Sequence, residues 1–192
     1  MLHIGSIARS TPARMLATAV GMGLLTYVTL LATATTAVAY TLLGCAFDSS
    51  SINPIEYRFY SISDTDVETG VGTAEVLWDA TSAPGFFYEC TTCSDPDINI
   101  TDDYYAGDFY AQVSYSCDGD DTYTGNEVDM QFNTKYNLNA DQNEVIAMHE
   151  MGHAYGLDHI QGSCHAMTVP IRWTCSPDRP SSDDVNGVDY IY

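Results

Sequence analysis

The sequence predicts one mixed domain of the α/β or α+β class over residues 40–192, behind a separate apolar leader. Three observations predict it. An uncharged run from Met15 to Ala39 differs in composition from everything after it. Beyond it, strand-like alternation and helix-like periodicity succeed one another over a length that encloses one core rather than two. All six cysteines (45, 90, 93, 117, 164 and 175) fall in that second part, an even number that suits an oxidised, exported domain.

The leader comes first. His3, Arg9 and Arg14 precede the apolar run, which ends in Ala37-Val38-Ala39. Small residues at these positions mark a signal peptide over residues 1–39, cut before Tyr40, and hence a secreted protein. An uncleaved membrane anchor through residues 15–38 is the alternative, because the run is long for a signal. Leu42-Leu43-Gly44-Cys45 resembles a lipoprotein cleavage box, but lipidation of Cys45 would leave five cysteines, an odd number.

The elements follow in chain order. Ile55 to Tyr60 alternates as a strand does. Thr65 and Glu68 make a capping box for a helix whose apolar stripe is Val67, Val71, Ala74, Leu77 and Trp78, stopped by Pro84-Gly85. Asp97–Thr101, Phe109–Tyr115 and Val128–Phe132 read as strands, with an acidic turn at Cys117–Asp121 between the last two. Asn139 or Asp141 caps a second helix that ends near Gly156. Ser181 or Ser182 caps a third, and Asp183 and Asp184 stand at the positive end of its dipole.

The formal charge of -20, from 26 acidic against 6 basic residues, excludes nucleic acid and anionic membrane surfaces as partners, since both need a basic patch. Asp118, Asp120 and Asp121 lie close together around a glycine and are candidate calcium ligands; Asp95, Asp97, Asp102 and Asp103 form a second acidic group. Neither matches an EF-hand.

The chemistry concentrates in His149-Glu150-Met151-Gly152-His153-Ala154-Tyr155-Gly156-Leu157-Asp158-His159. Residues four apart share a helical face, so His149 and His153 direct their rings to one point. Catalytic zinc takes three protein ligands and keeps one position open. His159 supplies the third only if the chain turns back, and Gly156 stands where that turn is needed. Glu150 then sits beside the metal position as general base and acid for a zinc-activated water attacking a peptide carbonyl.

HExxHxxGxxH is the metzincin signature, and the chain resembles the matrixin branch of that group, the matrix metalloproteinase-like catalytic domains. The resemblance rests on the zinc motif, on Met167 in Cys164-His165-Ala166-Met167, and on Ser182–Tyr192, which is similar to the matrixin C-terminal helix with its paired aspartates. It also rests on Tyr40–Gly44 with Ile55–Arg58, and more loosely on the later strands. It implies a metzincin (zincin) fold: a twisted, mostly parallel sheet with an active-site helix, a Met-turn and a C-terminal helix. Met167 is then the Met-turn residue below the ligands, and the activity is that of a zinc metalloendopeptidase acting on a protein or peptide substrate, with calcium as a structural ion. His3 is the only histidine upstream of the motif, so a second zinc site built from histidines is not expected. Cys164 and Cys175 flank the loop that carries Met167 and Trp173, and a bridge between them would stiffen the wall of the specificity pocket. The pairing of Cys45, Cys90, Cys93 and Cys117 stays open, with a CxxC metal site at Cys90 and Cys93 as the rival. The alternative from another class is a catalytically silent, zinc-stabilised binding or surface protein with the same fold.

Overall fold

A computed structural model of the chain describes residues 40–124, 128–162, 164–171, 173 and 178–192. All belong to the unit Ala37–Tyr192. The leader, and with it the signal or anchor expectation, lies outside the described residues. Among those residues no helix is long and apolar enough to cross a membrane.

The fold is mixed α/β. Its centre is a five-stranded sheet built from β2 (Ile55–Ser61), β3 (Phe87–Glu89), β4 (Ile98–Asp103), β5 (Ala111–Ser114) and β6 (Val128–Asn133), in the order β3-β2-β4-β6-β5. All neighbours run parallel except β5, which lies antiparallel to β6 and forms one edge. One face carries Ile55, Tyr57, Ile98, Ile100, Val128, Met130 and Phe132, all fully buried. The opposite face carries Glu56, Arg58, Asn99, Thr101 and Gln131, which stay partly exposed. This period-two segregation is what a sheet covered on one side requires.

Helices α1 (Thr65–Asp79) and α2 (Ala140–Ala154) share the same core, α1 through Val67, Val71, Ala74 and Trp78. They touch backbone to backbone. A Cβ on Gly70 would stand 2.6 Å from the Asn143 carbonyl carbon and the Glu144 nitrogen, so only glycine fits the crossing. Every residue of α2 from Val145 to Ala154 is buried, and Trp78 Nε1 donates to the Met148 carbonyl at 3.0 Å. The ligand-bearing helix therefore runs through the interior rather than over the surface.

Four details depart from the sequence expectations. The cap of α1 is Asp64, whose side chain accepts from the Asp66 N–H, not a Thr65–Glu68 box. Asp64 is itself anchored, because the buried Asp102 carboxylate accepts from its N–H and from that of Ser63. Strand β3 was not expected; three residues are too few to show a period. The Tyr40–Gly44 segment does not join the central sheet. It forms β1 (Thr41–Leu42), which pairs antiparallel with β7 (Leu157–Asp158), directly before His159. Two further short strands, β8 (Ile160–Gln161) and β9 (Thr168–Val169), pair in parallel.

Helix α3 (Ser182–Ile191) ends the chain's described part. Ser181 caps it, and Asp184 closes a reciprocal capping box. The disulfides are Cys45–Cys117 and Cys90–Cys93. Cys164 is also disulfide-bonded, but the expected partner Cys175 lies outside the described residues.

Candidate active site

Asn139 opens α2 with a full capping box, its side chain accepting from the Gln142 N–H while Gln142 reaches back to the Asn139 N–H. From that fixed start, His149 and His153 fall on one face one turn apart. The helix stops at Tyr155, and Gly156 turns the chain with φ of 100°, a value that side-chain-bearing residues rarely adopt. Strand β7 then carries the chain back beside the helix and delivers His159.

The three imidazoles converge. His159 Nε2 lies 3.0 Å from His153 Nε2 and 3.1 Å from His149 Nε2. The opposite ring nitrogens are fixed by carbonyls: His149 Nδ1 stands 2.7 Å from Ala166 O, and His153 Nδ1 stands 2.7 Å from Leu157 O. A carbonyl only accepts, so each Nδ1 carries the proton and each Nε2 presents a lone pair. Burial keeps these rings neutral, moving His149 down to about 3 and His153 down to about 4. Lone pairs aimed at one another across 3 Å repel unless a cation lies between them. Three nitrogens around a tetrahedral zinc stand about 3.3 Å apart, given bonds of about 2.0–2.1 Å. The donor set fits zinc.

Glu150 lies beside this cluster, 4% exposed, with Oε2 buried and unpartnered. Desolvation pushes its carboxyl up to about 8, with a Val113 backbone hydrogen bond opposing the shift. A cleft of about 490 Å³ contains all four side chains. It is also lined by Asp108–Val113, the approach to and part of edge strand β5, and by Val169–Ile171. Such a cleft, beside an open sheet edge, accommodates an extended chain.

Met167 is buried below the site, and a Cβ on Gly152, between the two helical ligands, would overlap its sulfur. Its carbonyl accepts from the Ile160 N–H at 2.9 Å. Trp173 stacks edge-on against Tyr110 of the cleft wall, with ring centroids 5.4 Å apart. His165 is no ligand in this arrangement; its Nδ1 hydrogen-bonds Ser181 Oγ, and its Nε2 faces Asp183.

Sequence reasoning missed Asp184 as a site-supporting residue. Only 2% exposed, it accepts from the N–H groups of Ala166, Met167 and Ser181 and from the Ser181 hydroxyl. The Ser181-x-x-Asp184 spacing was a readable cap signal, but its contact with Ala166 spans 18 residues and leaves no local trace. Tyr123, whose hydroxyl donates to the His153 carbonyl, was missed for the same reason.

The other candidate metal residues do different work. Asp118 Oδ1 accepts from the N–H groups of Asp120 and Thr122 and so shapes its own turn. Asp97 Oδ2 accepts from the Glu56 N–H. Among the described residues, ligand atoms converge in two places: at the three histidines, and at Glu56, Cys90 and Cys93. In the second group the two sulfurs are spent on each other. Asp118, Asp120 and Asp121 form no such group.

The comparisons with known proteins follow the site. High choriolytic enzyme 1, a hatching-enzyme zinc protease from the medaka fish Oryzias latipes, is a distant structural neighbour at 12% identity. That match covers 77% of this chain and 94% of the other, with a TM-score of 0.46. Myroilysin is similarly distant at 14% identity, covering 72% and 91%, with a TM-score of 0.47. No curated protein matches the chain in sequence. The matrixin family model of peptidase M10 matches residues 50–192, which include the histidine cluster, the cleft and all three helices. The chain belongs to the matrixin family of zinc metallopeptidases.

Proposed function

We propose that the protein is a secreted zinc-dependent endopeptidase in which His149, His153 and His159 bind the metal and Glu150 is the general base and acid. The observation that carries this reading is the convergence of His153 Nε2 and His149 Nε2 on His159 Nε2, at 3.0 and 3.1 Å, each helical ring held from behind by a carbonyl. Bound zinc supplies Lewis acidity toward a water molecule and a substrate carbonyl. The chain's own groups do the rest. The cleft receives an extended peptide along β5 and brings its scissile carbonyl over the histidines. Glu150, whose burial raises its affinity for a proton, takes one from the attacking water and passes it to the departing amine. Met167 serves as the Met-turn floor that keeps the ligand rings from sinking. Residues 1–39 direct export and are removed before Tyr40. The calcium ion that the matrixin resemblance implies has no support at Asp118, Asp120 and Asp121.

The test is hydrolysis of casein by the zinc-loaded protein. Activity is lost on chelation and returns with added zinc. Glu150→Ala abolishes cleavage while zinc stays bound. Undiminished cleavage by that variant sinks the mechanism, and a folded, zinc-loaded wild type that cuts no member of a broad peptide library favours the silent binding protein.

A further inference from the structure

We propose that Tyr40–Phe47, stapled through Cys45–Cys117, is a strap that positions the metal ligands His153 and His159, with Tyr123 as its point of contact. This rests on the reading of the three histidines as zinc ligands. The strap precedes residues 50–192, the part that matches the family model.

The first contacts of the strap fall on the turn between the second and third ligands. Thr41 and Leu42 pair with Asp158 and Leu157 of β7. Leu43 N–H donates to the Gly156 carbonyl at 2.9 Å. Leu157 is the residue whose carbonyl holds His153 Nδ1, and Asp158 directly precedes His159. The strap's pairing therefore fixes the backbone that orients one ligand and carries the next.

The staple reaches the same turn from the other side. Cys45 is bonded to Cys117, at the base of the acidic hairpin that contains Tyr123. Ala46 exchanges backbone hydrogen bonds with that hairpin, accepting from Tyr123 N–H and donating to the Asp121 carbonyl. Phe47 packs edge-on against the Tyr123 ring, with centroids 4.9 Å apart. Tyr123, so held, donates its hydroxyl to the His153 carbonyl at 2.8 Å. In parallel, Phe47 N–H donates to the Tyr192 hydroxyl, which donates to the Tyr155 carbonyl. The last carbonyls of a helix lack partners within it; here those of His153 in α2 and of its C-cap Tyr155 are claimed by groups the strap holds in place. No space separates strap and turn, since a Cβ on Gly156 would meet the Cys45 carbonyl at 2.9 Å.

Groups that orient metal ligands control how firmly the metal is held, by about tenfold or more for a direct partner. The experiment measures the first-order release of zinc from the full-length protein to a chromophoric chelator, for wild type, Tyr123→Phe and Cys45→Ser/Cys117→Ser. Tyr123→Phe removes one hydroxyl and leaves the His153 carbonyl still bonded to the Gly156 N–H. It releases zinc about tenfold faster, while the melting temperature of the chelated protein falls by no more than about 4 °C. The double serine variant releases it at least as fast. Tyr123→Phe decides the matter should the double variant fail to fold. Release unchanged in folded Tyr123→Phe overturns the strap and leaves the zinc site standing. A wild type that binds no zinc overturns both.

Discussion

His149 and Asp184 are joined through a single residue. The Ala166 carbonyl accepts from His149 Nδ1 at 2.7 Å, and the Ala166 N–H donates to Asp184 Oδ2 at 3.0 Å. The carboxylate at the start of α3 therefore sets the height of the segment that orients the first ligand. Asp184→Ala strands four donors in a buried corner and is expected to cost about 2–4 kcal/mol in denaturant unfolding. The same variant weakens zinc binding, read by chelator competition. Asp184→Asn keeps the shape, turns an N–H₂ toward other donors at one position, and falls between the two.

The metal-free protein has a stability optimum in pH. His149 and His153 titrate near 6.5 when unfolded but at about 3 and about 4 in the fold. The unfolded chain thus gains up to two protons as pH falls below 6.5, and stability drops with acid. Glu150 acts in the opposite sense. It titrates near 4.5 unfolded and about 8 folded, so the stability it confers is complete below 4.5 and is lost as pH rises through 8. Among the groups of the site, two histidines outweigh one glutamate below pH 6.5, and only the glutamate still acts just above it. Urea midpoints of the chelated protein therefore peak near pH 6.5. Glu150→Gln removes the decline on the alkaline side and leaves the acid side in place; a decline that persists in that variant refutes the assignment.

The crossing of α1 and α2 tolerates no side chain. Gly70→Ala forces the two helices apart by the width of a methyl group at a backbone contact, and about 1–3 kcal/mol of stability is lost, as in other overpacked cores. Because α2 carries the ligands, the variant's zinc content after purification falls with it. A melting temperature equal to wild type would show that the helices separate freely.

The site was more legible than its supports. The eleven residues from His149 to His159 carry their own geometry: a four-residue spacing for one helical face, then a glycine for the return. The structure brings those rings together. The strands β4 and β6 and the helices α2 and α3 were readable because each has enough residues to show a period or a cap. What was not readable depends on contacts distant in sequence. The Tyr40–Gly44 segment has strand character, but nothing in it says that its partner is Leu157–Asp158 rather than the sheet. Thr65 and Glu68 spell a capping box, yet Asp102, from a strand far along the chain, fixes Asp64 at the cap instead. Six cysteines indicate bridges without indicating which, and Cys45–Cys117 closes across 72 residues.

Both helical imidazoles lean on carbonyls that come later in the chain, Leu157 for one and Ala166 for the other, and Ala166 in turn waits for Asp184. During synthesis the helix emerges before Ala166 and Asp184, the residues that aim its first ring. A chain that stops short of α3 therefore carries the whole signature while the carbonyl behind its first ring is left unanchored.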